Sequence, residues 1–154
     1  MAKNGFRIDG MKELQRSIEK LGKVPQKHVN SAARKGVELI LKSARANAPF
    51  DTGQLKSGII KVPERNHSKS KKVYRLVFDR AKNDIFQKTN AEGKVTGYYP
   101  VSQEYGYFTV NGRYIPGFRF IHFSFNQNAK KMADVMVVTM KKKIDQEIVK
   151  VGLN

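Results

Sequence analysis

Ten of the 15 aromatic residues in this chain fall within the 28 positions from Tyr98 to Phe125, YYPVSQEYGYFTVNGRYIPGFRFIHFSF. Asn111-Gly112 lies between two short β-prone runs, Tyr107–Val110 and Arg113–Ile115. Both residues tolerate positive φ, so the pair predicts a tight type I′ hairpin turn. Pro116-Gly117 breaks the second strand. Beyond it, Phe118 and Phe120 are expected on one strand face and Arg119 on the other. Ahead of the hairpin, Pro100 suits the first turn of a short helix through Val101–Tyr105, with Gly106 closing it in a left-handed conformation. Such an aromatic cluster supports three readings: a core, a protein–protein interface, or a platform on which nucleic-acid bases stack. Core and interface coexist when one strand face is buried and the other docks a partner.

Two helical patterns flank the stretch. After it, Phe125, Ala129, Met132, Met136, Met140, Ile144, Ile148 and Val151 recur on one helical face, with Ser124 or Asn126 as the expected cap. Lys141-Lys142-Lys143 reads as a solvated part of that helix. Before it, Val29, Ala33, Val37, Ile40, Ala44 and Ala48 form a stripe, with Ala32 and Leu41 beside it. Pro25 is expected as its first residue, and Pro49 stops it. A shorter amphipathic helix carrying Met11, Leu14, Ile18 and Leu21 precedes it, capped by Asp9 or Gly10 and closed by Gly22. It follows a short β-prone run, Phe6-Arg7-Ile8.

Between the helical patterns, Pro49-Phe50-Asp51-Thr52-Gly53 predicts a turn in which Asp51 and Thr52 bond nearby amides and Gly53 takes positive φ. Leu55–Val62 and Val73–Phe78 are expected as strands, joined by the basic, mobile loop Pro63–Lys72. In the second strand, Tyr74, Leu76 and Phe78 point one way. Residues 79–97 are either a β-arm turning at Asn90-Ala91-Glu92-Gly93 or a flexible loop. The fold class is therefore α+β: a small antiparallel sheet packed by two long helices, plus a short N-terminal helix. Residues 1–154 are expected to form a single domain.

Composition narrows the function. With no cysteine, disulfides, thiol catalysis and sulfur-ligated zinc are excluded. No apolar run reaches the 18 residues or so that a membrane helix needs. The opening lacks a hydrophobic signal segment, which predicts residence in a cytoplasm. Lys and Arg exceed Asp and Glu by 17, a charge that attracts polyanions or acidic protein surfaces. The cations are spread along the whole chain. No chemistry assembles from the motifs: His28, His67 and His122 are far apart and lack motif partners, and no cofactor or metal is expected. Glu104, beside Tyr105-Gly106, reads as a helix-end or salt-bridge residue rather than a general base.

Two stretches resemble a family of tailed-phage tail components, the neck or tail-completion proteins of long-tailed phages and prophages. The segment from Ala48 to Ile59, with Pro49, Asp51, Thr52, Gly53 and Leu55 in place, is similar to that family's A-P-x-D-T-G-x-L-x-x-S-I element. Tyr99 through Ile121 resembles its second element, Y-x-x-x-x-E-F/Y-G, with Glu104, Tyr105 and Gly106 in place. Pro116, Phe120 and Ile121 then match the P-x-x-P-F-L pattern after a hairpin, in which Arg119 stands where a second proline is frequent, and Phe118 is a further interface candidate. Gly58 replaces the usual serine, and the 79–97 segment is longer than typical. The opening Phe6–Leu14 also resembles the family's start.

The resemblance implies a structural, non-enzymatic role at the head–tail junction, in a ring of six copies around the DNA channel. Partners would be the head connector and the tail tube or terminator proteins. Assembly would take place in the host cytoplasm, before incorporation into the virion. DNA contact would be transient and sequence-independent, through Lys69, Lys71 and Lys72 and the arm around Lys82–Lys94. The alternative is a small basic α+β protein that binds nucleic acid or cleaves RNA.

Overall fold

The computed structural model describes residues 11–65 and 72–151. The Phe6-Arg7-Ile8 run, its Asp9/Gly10 cap, His67, Lys69 and Lys71 lie outside these residues. The protein is α+β. Its frame is an antiparallel pair of long helices, α1 (Met11–Asn47) and α5 (Phe120–Val151).

α1 runs unbroken for 37 residues, about 55 Å at the usual rise per residue. The two helices expected before Pro49 are therefore one, and Gly22 and Pro25 lie inside it. An interior Pro costs about 3 kcal/mol and a Gly about 1. Each further residue adds a hydrogen bond once the helix is nucleated, and α5 packs against it from Asn47 back to His28, so the local penalties do not end it. Gly22 and Pro25 both face solvent. At one end of the pair Asn47 Nδ2 donates to Ser124 Oγ at 2.9 Å, and Asn128 Nδ2 to Ser43 Oγ at 3.0 Å. Toward the other, His28 Nε2 lies 3.3 Å from Glu147 Oε1. Between them Gly36 admits Met132 and Met136 against the α1 backbone.

The sequence 54–58 forms a single helical turn, α2 (Gln54–Gly58), rather than the start of a strand. Gln, Leu and Lys favour the helix there, and Ser57 Oγ donates to the carbonyls of Gly53 and Gln54. β1 (Ile59–Pro63) follows and pairs antiparallel with β2 (Tyr74–Phe78), matching Ile59 with Phe78 and Lys61 with Leu76. Leu41, Ala44 and Ala48 of α1 meet Leu55, Ile59 and Phe120 in the core, with Leu76, Phe78 and Ile121 packed against it.

Asp79 caps a 3-10 turn, Arg80–Lys82, which leads into α3 (Asn83–Phe86). Phe86 is fully buried and meets Phe78 and Tyr98 edge to face, at centroid separations of 6.4 and 6.1 Å. β3 (Gln87–Thr89) and β4 (Val95–Tyr98) form a hairpin across residues 90–93. In its turn, Asn90 Oδ1 accepts from the amides of Glu92 and Lys94. α4 (Tyr99–Tyr105) comes next, then a second hairpin of β5 (Gly106–Phe108) and β6 (Tyr114–Pro116). Among the described residues the sheet portion is thus three separate two-stranded ribbons rather than one small sheet.

The second hairpin corrects the type I′ expectation. Its loop has three residues, closed by Thr109 N to Arg113 O at 2.8 Å and Gly112 N to Thr109 O at 2.9 Å. Only Gly112 there has positive φ, +76°, so Asn111 stays in ordinary backbone space. A three-residue loop with glycine in the left-handed position fits the twist of the strands as a two-residue loop would.

Candidate assembly interface

The aromatic stretch folds into a junction in which α4, the β5–β6 hairpin and the start of α5 hold one another. α5 begins at Phe120, five residues before the expected Phe125, so Phe118-Arg119-Phe120 is no strand and Ser124 and Asn126 do not cap the helix. The cap comes from α4. Glu104 Oε2 accepts from the amide of Ile121, and Oε1 from that of His122, each at 3.0 Å. A helix N-terminus leaves its first amides without partners and carries partial positive charge, so a carboxylate there is doubly favoured. Glu104 is 2% exposed. Its backbone carbonyl also accepts from Arg119 N, and that of Gln103 from Phe118 N, which straps the segment before α5 onto α4.

Gly106 makes this strap possible. Its φ is +90° with ψ −179°, a region closed to side chains, and its amide closes α4 by bonding Ser102 O. The left-handed C′ geometry expected there is thus replaced by an extended one of positive φ. A Cβ at this position would lie 2.8 Å from Gly117 N. Tyr114 Oη then donates to Tyr105 O at 2.5 Å, pinning the hairpin to the end of α4.

What this scaffold presents outward is apolar. Phe108 is 72% and Phe118 59% exposed, Val110 stands clear of the surface, and Tyr105, Tyr107, Tyr114 and Phe123 are exposed as well. The rings of Phe108 and Tyr114 lie 5.2 Å apart. Phe120 is the contrast, at 1%. Its ring meets that of Phe78 edge to face at 6.4 Å.

The Pro49–Gly53 corner follows α1. Gly53 has φ +76° and precedes α2 without any side-chain cap. Asp51 and Thr52 are exposed and take part in no hydrogen bond among the described residues, so the turn-bonding role expected of them is absent there. Phe50 is 81% exposed. Ala48, Leu55 and Ile59 of this motif enter the core, where they join Phe120 of the other. The two motifs, far apart in sequence, therefore meet in one core, with Ile121 of the second packed against it.

Lys72 is exposed on the rim of an apolar groove of about 530 Å³ between β2, α1 and the start of α5. His122, expected in a strand, lies on α5 at the same groove. Lys82, expected on a free arm, instead gives its ammonium to Gln54 Oε1 and Ser57 Oγ, both at 2.6 Å. Lys61 pairs with Glu38. Burial holds its ammonium below the usual lysine range, and nearby Arg34 pushes it the same way. No group of three or more His, Asp or Glu among the described residues is placed to hold a metal. No helix among them is long and apolar enough to cross a membrane.

Sequence reading missed Phe86, Arg45 and the Asn47–Ser124 pair. Arg45 donates from Nε and Nη2 to the carbonyl of Ile59. Phe86 had a signal, an aromatic in a short polar segment of no periodicity, but periodicity was what identified the core elsewhere.

These features define an α+β frame that leaves a set of large apolar side chains exposed. The chain matches the family model "Bacteriophage HK97-gp10, putative tail-component" over residues 12–108. It belongs to that family, a family of phage tail components whose role is structural. Its setting is the virion, among other tail and virion proteins. No curated protein and no solved structure matches the chain.

Proposed function

We propose that this tail component acts at the head–tail junction, as a tail-completion or neck subunit. Six copies form a ring around the DNA channel, between the head connector and the tail tube or terminator. The observation that supports this reading is the exposed aromatic hairpin, with Phe108, Val110 and Tyr114 held on a scaffold braced by a buried carboxylate. Apolar surface rimmed by polar residues marks a protein interface. The outer edges of the β3–β4 and β5–β6 ribbons offer backbone groups to neighbouring copies. Pro49, Asp51, Thr52 and Phe50 form a second exposed corner on the same reading. Assembly takes place in the host cytoplasm.

The basic excess of each copy faces DNA in the channel and acidic faces of neighbouring rings. DNA contact is weak and independent of sequence, since a tight grip would stall ejection. Lys69, Lys71 and Lys72 supply it, with Lys88 and Lys94 of the first hairpin.

Phage carrying a deletion of this gene should yield filled heads and separate tails, and electron microscopy of the purified protein with its tail partner should show six-fold rings. Complete virions from the deletion would refute the junction role. Binding to scrambled duplexes should fade by a factor of about 10³ or more between 50 and 200 mM salt. Tight, sequence-dependent binding that survives 200 mM salt would favour the nucleic-acid-binding alternative.

A further inference from the structure

The β1–β2 ribbon has two outer edges, and they are unlike. The bonds Glu64 N to Val73 O and Asp79 N to Gly58 O fix the alternation of the ladder. Val73, Arg75 and Val77 direct their backbone groups at β1, while Tyr74, Leu76 and Phe78 direct theirs outward. The outward edge of β1 is blunted: Ile59 O takes the Arg45 guanidinium, and Pro63 has no amide. The outward edge of β2 is not. Among the described residues, no hydrogen bond engages the backbone of Tyr74 or Leu76.

That open edge borders the groove of about 530 Å³. Tyr74 and Leu76 form one wall, Val37 lies in the floor, and Ile121, Phe125 and Met132 line the far side. A strand laid along β2 would bond Tyr74 and Leu76 and send alternate side chains into the groove. Methionine is unbranched and adapts to what enters. At the Phe78 end, the rings of Tyr98 and Phe120 close the gap, which leaves the Tyr74–Leu76 end as the way in.

Charge selects the occupant. Lys72 and His122 line the groove, and Glu104 is the one acid among its described lining residues. The nearby acids are already committed, Glu104 to two helix amides and Glu38 to Lys61. A second copy would bring the same net charge of +17. We infer that the free edge of β2 and its groove capture an extended acidic segment of another protein, one with apolar side chains at alternate positions. This rests on the chain being a docking subunit and names the chemistry of one partner.

The test uses the full chain and two synthetic peptides, one alternating Asp with Val and Ile, the other with Lys in place of Asp. The acidic peptide should bind and slow hydrogen exchange at the Tyr74 and Leu76 amides, while the Lys peptide binds at least about tenfold more weakly at low salt. Tyr74→Pro removes one outward amide and leaves the Glu64 N to Val73 O bond and the inward amide of Arg75 in place. It should cost roughly tenfold in affinity, the worth of one or two backbone bonds. Tyr74→Phe loses only the hydroxyl bond to Asn30 and should bind as the parent does. If Tyr74→Pro fails to fold, Lys72→Glu serves in its place and should weaken the acidic peptide severalfold while strengthening the Lys peptide. Equal affinity for the two peptides would overturn the inference. So would unprotected Tyr74 and Leu76 amides, or protection that grows with protein concentration alone, which would make a second copy the occupant. Virion incorporation of the gene product tests the tail role separately, so failure here leaves that reading standing.

Discussion

Replacing Glu104 should loosen the whole aromatic junction without touching its aromatic residues. Its carboxylate takes two α5 amides at 3.0 Å, at 2% exposure. Hydrogen bonds to a charged group contribute about 1.5–3 kcal/mol each, and the helix-end field adds about 0.5–1. Against this stands the desolvation of a buried carboxylate, several kcal/mol in size. Glu104→Ala removes both sides of that balance but leaves two amides without partners. A net loss of about 3 kcal/mol follows. For a chain of this length, that lowers Tm by roughly 6–12 °C. Glu104→Gln is the sharper probe, because its amide nitrogen cannot accept from a helix N–H, so one bond is lost while the shape is kept. A loss of about 2 kcal/mol is expected. Urea denaturation followed by circular dichroism gives both values. If Glu104→Gln unfolds within about 0.5 kcal/mol of the parent, the carboxylate is not what starts α5 at Phe120, and the cap assignment fails.

Gly106→Ala forces a side chain into positive φ and against the Gly117 backbone, so a loss of about 2–4 kcal/mol is expected in the same denaturation assay. Phe120→Ala should cost roughly 3–5 kcal/mol, read as a fall in Tm, since the ring is 1% exposed. Asp51→Ala should leave stability within about 0.5 kcal/mol of the parent, because Asp51 is exposed and bonds nothing in the described residues. A defect in tail joining with an unchanged melt would then make it an interface residue. Gly53→Val should cost about 1–3 kcal/mol through the strained φ at that corner, again measured by thermal melting.

Much of the fold was legible because periodicity reports burial. The stripe through Ile40, Ala44 and Ala48 is core, and the alternation at Tyr74, Leu76 and Phe78 gave the inward face of β2. Local signals misled where a distant contact outweighed them. Pro25 is a strong helix start, yet the helix runs through it and α5 packs on α1 from His28 onward. Ser124 looks like a cap, yet it is fully buried and bonded to Asn47, and the true cap is a carboxylate 17 residues before the Ile121 amide it accepts from. Phe118 and Phe120 share an alternation pattern, but the strap to Gln103 and Glu104 and the turn into α5 place one in water and the other in the core. Of the candidate site, the Glu-Tyr-Gly element was legible as a helix end. That Asp51 and Thr52 bond nothing among the described residues was not legible, because Asp-Thr before Gly is an ordinary turn signal.

The His28–Glu147 contact joins residues 119 apart in sequence. During synthesis, therefore, α1 leaves the ribosome long before the helix that covers it exists. Its Ile40–Ala44–Ala48 stripe must wait, bare, while the three ribbons are made. Closing so large a loop is entropically costly, and contacts of this span form slowly. The short-range hairpins turning at Asn90 and Asn111 can close first, on a microsecond scale. For the interval before α5 is complete, the nascent chain is an apolar helix awaiting its partner. In that interval a chaperone, or the α1 of another nascent copy, competes with α5 for it.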